Sequence, residues 1–472
     1  MLAKKIAINT IISAAARILG TALALVTIGL ITRSLSKTEW GEYSIVLTFG
    51  GIFAVLADLG LYQLMVREIS KEGADEQKIA SQIFSLRLIV SLFIFALAPL
   101  ASLFFPYSSS ARWAILVGMI GFWFLSGSQV LMGPFQKYLR MGKVAWAELA
   151  GRVAQLALVF VFIKLQSGFL WIVAALAFSS LFNFLLIYLM VQRYIRVKFA
   201  IDLAFWKVLL RTTYPLAISN VLVMIYFSTD ALILSVFWPA ADVGVYRLPY
   251  KILESLIFFP SMFVGLIMPY LTRSAFSDES RFKQIFQRGY DVLTMAAAPL
   301  VLGTFFVSPA IISLLGGSKY TESVPVLNIL IVATGFIFFG ALFSFTLIAL
   351  EKQKTLLKIS AVGAVFNLIF NLIFIPRYSY YAAAWGTVLT EALVTVLMLA
   401  AIYQVRHFWP KGKVFLKSFL AACPMCLFLW YFRNLNLFII LAAATAIYLT
   451  ALYLVKGFSK EEILKLVIKN NG

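Results

Sequence analysis

The hydrophobic positions of this chain are grouped into long apolar runs, and short segments between the runs carry most of the charge. Runs of about 20 apolar residues match the length of an α-helix that crosses the hydrocarbon core of a bilayer. Fourteen such runs occur, at residues 11–31, 44–64, 82–104, 113–135, 145–164, 169–191, 211–235, 248–271, 290–314, 324–350, 359–376, 382–403, 414–432 and 436–455. We therefore expect an all-α polytopic membrane protein with about fourteen transmembrane helices.

The amino-acid composition supports this prediction. Of the 472 residues, 62% are hydrophobic and 13% are charged, whereas a soluble domain is about 45–50% apolar and about 25% charged. The first run is longer than the apolar core of a secretory signal peptide, which has about 7–15 residues, and many similar runs follow it. It is therefore predicted to be the first membrane span.

The basic residues alternate between the two sides of the predicted membrane. Of the 40 Lys and Arg residues, 28 fall in the terminal segments and every second connection, eight fall in the other connections, and four lie inside spans. Lys and Arg are enriched on the cytoplasmic side, so both termini are predicted to be cytoplasmic, in a multi-pass protein of the cell membrane. The formal charge of +20 is attributed to topology near anionic lipid, not to nucleic-acid binding. Residues 457–472 are predicted to form a short amphipathic helix on the cytoplasmic interface.

Two segments of the chain resemble each other at an offset of 203 residues. Gly41 and Tyr43, which lead into the second span, correspond to Gly244 and Tyr246, which lead into the eighth. We therefore predict an internal duplication, in which spans 1–6 and spans 7–12 form two pseudo-symmetric six-helix lobes. The lobes are predicted at residues 1–200 and 201–408, with spans 13 and 14 and the tail at 409–472. Parallel repeats of this kind suit alternating access, with the substrate held between the halves near the bilayer midplane.

Several ionisable residues lie inside the predicted spans, where a charge is costly and is usually retained for a function. Arg17 and Asp58 lie at matching depths in adjacent helices, about 9 Å from the cytoplasmic ends at 1.5 Å per residue, so we predict that they form an ion pair. Glu148 and Arg152 are spaced i,i+4 with the acid first, the favourable order on one helix. The set predicted to line a substrate cavity is Arg17, Asp58, Arg87, Arg152, Asp230, Lys251 and Glu254.

Two other roles are open for these charges. Some of them could form purely structural ion pairs between helices. Arg87, Glu148 and Arg152 lie nearer to helix ends, where long side chains can reach toward the interface while their stems stay in the apolar layer.

Glu391 lies near the middle of the twelfth span. A carboxyl group there is either a candidate for proton or Na⁺ coupling or a neutral, hydrogen-bonded acid.

No nucleotide-binding motif is present, so we do not expect ATP to be the direct energy source, and no cofactor or metal is predicted. Cys423 and Cys426 have CxxC spacing but lie in an apolar run without a second ligand pair. The outside connections are too short for a sizeable external domain, so we do not expect a membrane-embedded polymerase or ligase.

Two long segments resemble a known family of exporters. The first reads "NTIISAAARILGTALALVTIGLITRSLSKTEWGEYSIVLTFGGIFAVLADLGL", and the second reads "YPLAISNVLVMIYFSTDALILSVFWPAADVGVYRLPYKI". They are similar to the openings of the two lobes in the polysaccharide-export, O-antigen flippase-like members of the multidrug/oligosaccharidyl-lipid/polysaccharide exporter superfamily. The resemblance implies two six-helix lobes arranged in a V. It also implies that a polyprenyl-pyrophosphate-linked oligosaccharide is moved from the inner to the outer leaflet.

The segment around Arg17, "ARILG", is also similar to the first helix of the lipid II flippases, in which cavity arginines matter. A second arginine–acid cluster later in that helix is missing here, where the chain reads "TALALV". A surface-polysaccharide unit is therefore a better expected substrate than a peptidoglycan precursor.

We therefore expect a flippase, not an enzyme, whose partners are the lipid-linked oligosaccharide, membrane lipids and other membrane proteins of polysaccharide assembly. In this interpretation Arg17, helped by Arg87 or Arg152, binds the pyrophosphate, and Asp58 holds Arg17 when the site is empty. The C-terminal wall of the same path is expected to consist of Asp230, Lys251 and Glu254.

The alternative is a cation-coupled multidrug or small-lipid exporter on the same fold. Such an exporter would need unpaired carboxylates and few basic residues, whereas the spans here hold a mixture of both.

Overall fold

The chain folds almost entirely into α-helices. The computed structural model describes residues 2–457, with side chains for all of these except 2–14 and 212–228. The predicted amphipathic helix at 457–472 lies, apart from Gly457, outside the described residues. The helices are α1 (Leu2–Ser34), α2 (Lys37–Asp58), α3 (Leu61–Ile69), α4 (Glu76–Ser102), α5 (Ser109–Lys137), α6 (Met141–Lys164), α7 (Phe169–Val191), α8 (Leu203–Phe237), α9 (Ala240–Ser274), α10 (Glu279–Gly316), α11 (Ser323–Ala349), α12 (Gln353–Arg406), α13 (Lys413–Tyr431) and α14 (Leu437–Leu454). No strand occurs among the described residues, in agreement with the all-α prediction.

Twelve helical segments of the described chain are long and apolar enough to cross a membrane. One of them, α12, contains two of the predicted spans. A break at Ser379, where the backbone is not helical (φ 50°, ψ −138°), separates the two spans. A further predicted span, at 211–235, coincides with α8. The helices thus correspond to all fourteen predicted spans, and the protein is a multi-pass membrane protein.

The first compact unit comprises Met1–Arg247. Its central helix is α5, which packs against α2, α3, α4, α6 and α7, while α1 packs against α6 and α8 packs against α2. Buried apolar side chains of α3, α4, α5 and α7 form its core, among them Leu64, Phe84, Phe135 and Ile187. This packing holds the charged residues of α1, α2, α4 and α6 in defined positions.

The second compact unit comprises Leu248–Gly472. In it α10 packs against α11, α13 and α14, and α11 packs against α12. The hydroxyl of Tyr448 on α14 donates to the carbonyl oxygen of Met295 on α10 at 2.8 Å. The division between the units lies inside α9, and the predicted lobe boundaries at residues 200 and 408 stay predictions.

Helices α2 and α9 approach each other closely at two glycines of the first unit. A Cβ atom added at Gly41 would lie 1.6 Å from the carbonyl oxygen of Ala240, and one added at Gly244 would lie 2.9 Å from that of Lys37. The indole Nε1 of Trp40 donates to the carbonyl oxygen of Gly244 at 3.1 Å. Gly41 and Gly244 are the positions that the predicted duplication relates to each other. Two positions that correspond under the predicted duplication therefore meet at this crossing.

We predict that Gly41→Ala destabilises the protein, because its methyl group would force α2 and α9 apart, and overpacking of this kind costs about 1–3 kcal/mol. The matched control is Gly51→Ala on the same helix, where an added Cβ atom would meet nothing within 4 Å. The measurement is the apparent melting temperature of the purified protein in detergent, which should fall for Gly41→Ala and stay unchanged for Gly51→Ala. Equal melting temperatures for the two variants would contradict the close helix contact.

Candidate functional site

Arg87 on α4 is buried, with 1% of its surface exposed. Its Nη1 donates to the carbonyl oxygen of Ala57 at 2.6 Å and to Oδ1 of Asp58 at 3.0 Å. Its Nη2 donates to Oε1 of Gln129 at 3.2 Å, and its Nε donates to the carbonyl oxygen of Ser126 at 3.4 Å. The first two acceptors belong to α2 and the last two to α5. Arg87 therefore cross-links three helices of the first unit.

The acceptors on α2 are available because this helix ends beside Arg87. Leu59 and Gly60 adopt left-handed backbone angles (φ 48° and 69°), so that α2 stops at Asp58 before α3 begins. The last turn of a helix leaves carbonyl groups without an intrahelical donor, and partial negative charge accumulates there. The Arg87 guanidinium supplies a donor to one of these carbonyl groups and a positive charge to the adjacent carboxylate. We call Arg87 with its four acceptors the Arg87 clamp.

The ion pair between Asp58 and Arg87 joins a side chain that is 24% exposed to one that is 1% exposed. The predicted pair between Arg17 and Asp58 stays a prediction. The alternative that Arg87 reaches toward the interface is wrong, because α2 and α5 supply acceptors on both sides of its guanidinium and hold it inside the unit.

A second group of charges lies on α1 and α6, which pack against each other. Arg17, Glu148 and Arg152 are exposed, and Arg17 interacts electrostatically with both residues of α6. The Arg152 side chain lies over Gly20 of α1, where an added Cβ atom would be 3.1 Å from its Nε. We call Arg17, Glu148 and Arg152 the arginine–glutamate cluster. With two guanidinium groups and one carboxylate, it carries a net positive charge on membrane-spanning helices.

The polar side of α6 continues beyond this cluster. Gln155 lies near the hydroxyl group of Tyr43 on α2, a residue that is 3% exposed. The position of Gln155 was not predicted from the sequence, although the i,i+3 spacing of Arg152 and Gln155 places them on one face of a helix.

Asp230 lies on α8 and is 4% exposed. It accepts hydrogen bonds from the hydroxyl of Tyr246 on α9 and from the backbone N–H of Ala231, the latter at 2.6 Å. Asp230 thereby joins the end of α8 to the start of α9 within the first unit. This hydrogen bond was not predicted from the sequence, and the cavity-lining role of Asp230 stays a prediction.

Lys251 and Glu254 form an ion pair in the second unit, with Nζ 2.6 Å from Oε2. They are spaced i,i+3 on α9, and the Glu254 side chain is 39% exposed. Of the residues predicted to line a cavity, the structure thus brings Arg87 to Asp58, Arg17 to Arg152, and Lys251 to Glu254.

Glu391 on α12 is buried, with 8% of its surface exposed. Its neighbour Thr390 accepts a hydrogen bond from Nδ2 of Asn367 at 3.1 Å, and Asn371 donates to Oδ1 of Asn367 at 2.9 Å. These asparagines were not predicted from the sequence, although their i,i+4 spacing in an apolar run is a signal for a polar contact inside the bundle. They form a buried polar network beside Glu391.

The chain matches two families of known proteins. The family described as polysaccharide biosynthesis protein matches residues 6–275, and the MatE family matches residues 215–373. The capsular polysaccharide biosynthesis protein CapF of Staphylococcus aureus is 25% identical over 241 residues, which cover 50% of this chain and 59% of CapF. The protein named "Probable flippase AglR" of Haloferax volcanii is 24% identical over 220 residues, 46% of each chain. This chain therefore spans about half the length of these relatives.

The fold is shared with a solved structure of the lipid II flippase MurJ in an inward closed conformation. The TM-score is 0.76 at 16% sequence identity, over 98% of this chain and 100% of that chain. At this level of identity the likeness shows the fold alone.

We predict that Arg87→Ala strongly destabilises the protein, because it leaves Asp58 without its buried partner. Removal of one member of a buried ion pair costs about 3–5 kcal/mol. The control is Arg67→Ala, which removes a side chain that is 56% exposed. The measurements are the apparent melting temperature and the yield of monodisperse protein.

A double variant separates the ion pair from the other contacts of Arg87. Arg87→Ala combined with Asp58→Asn should lose less stability than the sum of the two single variants, because the remaining partner is no longer charged. If the Arg87 clamp had no structural importance, Arg87→Ala would instead have the same apparent melting temperature as Arg67→Ala.

Proposed function

The chain belongs to the polysaccharide biosynthesis protein family, and from this premise we propose that it is a flippase for a polyprenyl-pyrophosphate-linked oligosaccharide. It moves this lipid from the inner to the outer leaflet by alternating access. The observation that carries the proposal is the arginine–glutamate cluster, whose exposed guanidinium groups lie on membrane-spanning helices of the first unit.

The substrate presents two parts that hydrocarbon cannot solvate, a hydroxyl-rich sugar chain and a negatively charged pyrophosphate. An ionised group that enters hydrocarbon without a partner costs tens of kcal/mol by continuum estimates. A flippase must therefore supply positive charge and hydrogen-bond donors along the path while the lipid tail stays in the bilayer. Guanidinium groups suit this task, because they remain charged and bind phosphate oxygens in a bidentate manner.

Arg17 and Arg152 are the residues that bind the pyrophosphate in this proposal. Both are exposed and interact electrostatically with Glu148, and the three side chains together carry a net positive charge that suits an anion. Glu148 holds the two guanidinium groups in place when substrate is absent. Arg87 acts as a positioning residue, because its guanidinium is already occupied by four acceptors. Asp58, Asp230, Lys251 and Glu254 remain proposed contributors to the substrate path.

The protein is placed in the cytoplasmic membrane with both termini in the cytoplasm, supported by the excess of Lys and Arg on one side of the membrane. Its proposed partners are the lipid-linked oligosaccharide and other membrane proteins of polysaccharide assembly. It acts as a transporter without a chemical reaction of its own. Coupling to H⁺ or Na⁺ is proposed through Glu391, which lies next to a buried polar network.

A cation-coupled multidrug or small-lipid exporter is the second candidate, and the match of the MatE family to residues 215–373 favours it. The positive charge of the arginine–glutamate cluster argues against it, because a cationic drug would be repelled there. Transport of a cationic dye that depends on Glu391 would favour this candidate over the flippase.

We predict that Arg17→Ala and Arg152→Ala reduce the surface polysaccharide of a deletion strain that expresses them. A hydrogen bond to a charged group contributes about 1.5–3 kcal/mol, so the rate should fall roughly tenfold to a hundredfold. Arg17→Lys and Arg152→Lys should retain part of the activity, because the charge remains but the bidentate geometry is lost.

The control variant is Arg33→Ala, which removes an exposed arginine at the other end of α1. Membrane levels of all variants are measured by immunoblot, and surface polysaccharide by antibody or lectin labelling. Full polysaccharide levels in normally expressed Arg17→Ala and Arg152→Ala cells would remove the cluster from the mechanism.

A further inference from the structure

A cavity of about 350 Å³ lies at one end of the first unit. It is enclosed by the start of α2, by the connection between α4 and α5, and by the connection between α8 and α9. Its volume falls in the range of about 300–1,000 Å³ that is usual for small-molecule sites. The Arg87 clamp and the arginine–glutamate cluster contribute no residue to it, so it is a separate feature of the unit.

Glu42 is a buried carboxylate in the wall of this cavity, with 6% of its surface exposed. Its Oε1 accepts a hydrogen bond from Oγ of Ser108 at 2.5 Å. Its Oε2 is buried and has no hydrogen-bond partner among the described residues. A buried polar atom without a partner is costly, so an unpartnered acceptor on a residue of the cavity wall indicates a ligand that donates hydrogen bonds.

We propose that this cavity is a saccharide-binding site in which Glu42 accepts hydrogen bonds from sugar hydroxyl groups. A carboxylate can accept several such bonds, and Thr38, Ser108 and Ser235 add hydroxyl groups to the lining. The lining also contains the partly exposed aromatic side chain of Trp238, which provides apolar surface that a pyranose ring can cover.

The remaining chemistry of the cavity fits a saccharide better than a bare metal ion. A Ca²⁺ site requires about six to eight oxygen ligands, and the lining holds one carboxylate. No group of three His, Cys, Asp or Glu residues placed to hold a metal occurs in the part of the chain that the structure describes. The Tyr107 hydroxyl is fixed by Oγ of Ser235 at 2.7 Å, so part of the wall is already ordered for a shaped ligand.

The start of α2 and the two connections that enclose the cavity lie on the side predicted to face away from the cytoplasm. The site is therefore placed where the sugar chain leaves the protein, and it receives sugar residues of the substrate at the outer side of the membrane. The place of this site on the path of the substrate rests on the proposed function, whereas the binding of saccharide at Glu42 does not.

The test is binding of sugars to the full-length protein in lipid nanodiscs, measured by saturation-transfer difference NMR. The probes are the methyl glycosides of glucose, galactose, mannose and N-acetylglucosamine, which carry no lipid and therefore report on sugar chemistry alone. Wild-type protein should bind at least one of them, and Glu42→Gln should weaken that binding at least tenfold. Glu72→Gln, which changes an exposed glutamate of the α3–α4 connection, should bind like the wild type.

Glu42→Gln preserves the shape of the side chain, and its melting temperature without sugar establishes that it is folded. The proposal is overturned if none of the glycosides binds, or if Glu42→Gln binds them as well as wild type does. It is also overturned if NaCl, but no glycoside, raises the melting temperature in a manner that requires Glu42, because the ligand is then a monovalent cation.

A separate measurement distinguishes this proposal from the flippase proposal. If surface polysaccharide is lost in the Arg17 and Arg152 variants but glycosides do not bind at Glu42, the saccharide site fails and the flippase stands. If glycosides bind at Glu42 but deletion of the gene leaves surface polysaccharide unchanged, the site stands and the flippase fails.

Discussion

The structure of the first unit depends on how a guanidinium group is compensated inside a membrane-spanning helix bundle. A charged arginine at a helix centre costs at least about 2.5–3.5 kcal/mol even on lenient insertion scales, and a buried one needs acceptors for its donors. Arg87 finds them where α2 breaks at Leu59 and Gly60, and on the facing side of α5. The end of α2 therefore supplies acceptors that the buried Arg87 needs, and Arg87 supplies donors to the last turn of α2.

The charged residues of this unit differ from one another in exposure, and exposure separates their roles. Arg17, Glu148 and Arg152 are exposed on α1 and α6, whereas Asp230 is buried against Tyr246. A buried, hydrogen-bonded group holds helices together. The exposed cluster has an excess of positive charge, and this is the property that an anionic lipid headgroup requires.

The helices were predictable from the sequence because the thickness of a bilayer sets the length of every apolar run, and the alternation of Lys and Arg supports their number and order. The break between the two spans of α12 was predictable for the same reason. Side-chain partners were not, because Arg87 is 29 residues from Asp58 and 42 from Gln129 in the chain. Glu42 was missed because it resembles an ordinary polar residue at a helix start, and only the folded connections enclose it.

The measurement that tests the flippase most directly is transport by the purified protein in proteoliposomes. A polyprenyl-pyrophosphate oligosaccharide is placed in both leaflets, and its appearance at the outer surface is followed with a glycosidase that cannot cross the membrane. We expect the whole lipid pool to become accessible in proteoliposomes, whereas only the outer half is accessible in protein-free vesicles. If the inner half stays protected in proteoliposomes that transport a cationic dye, the protein is an exporter of another class and the flippase interpretation is wrong.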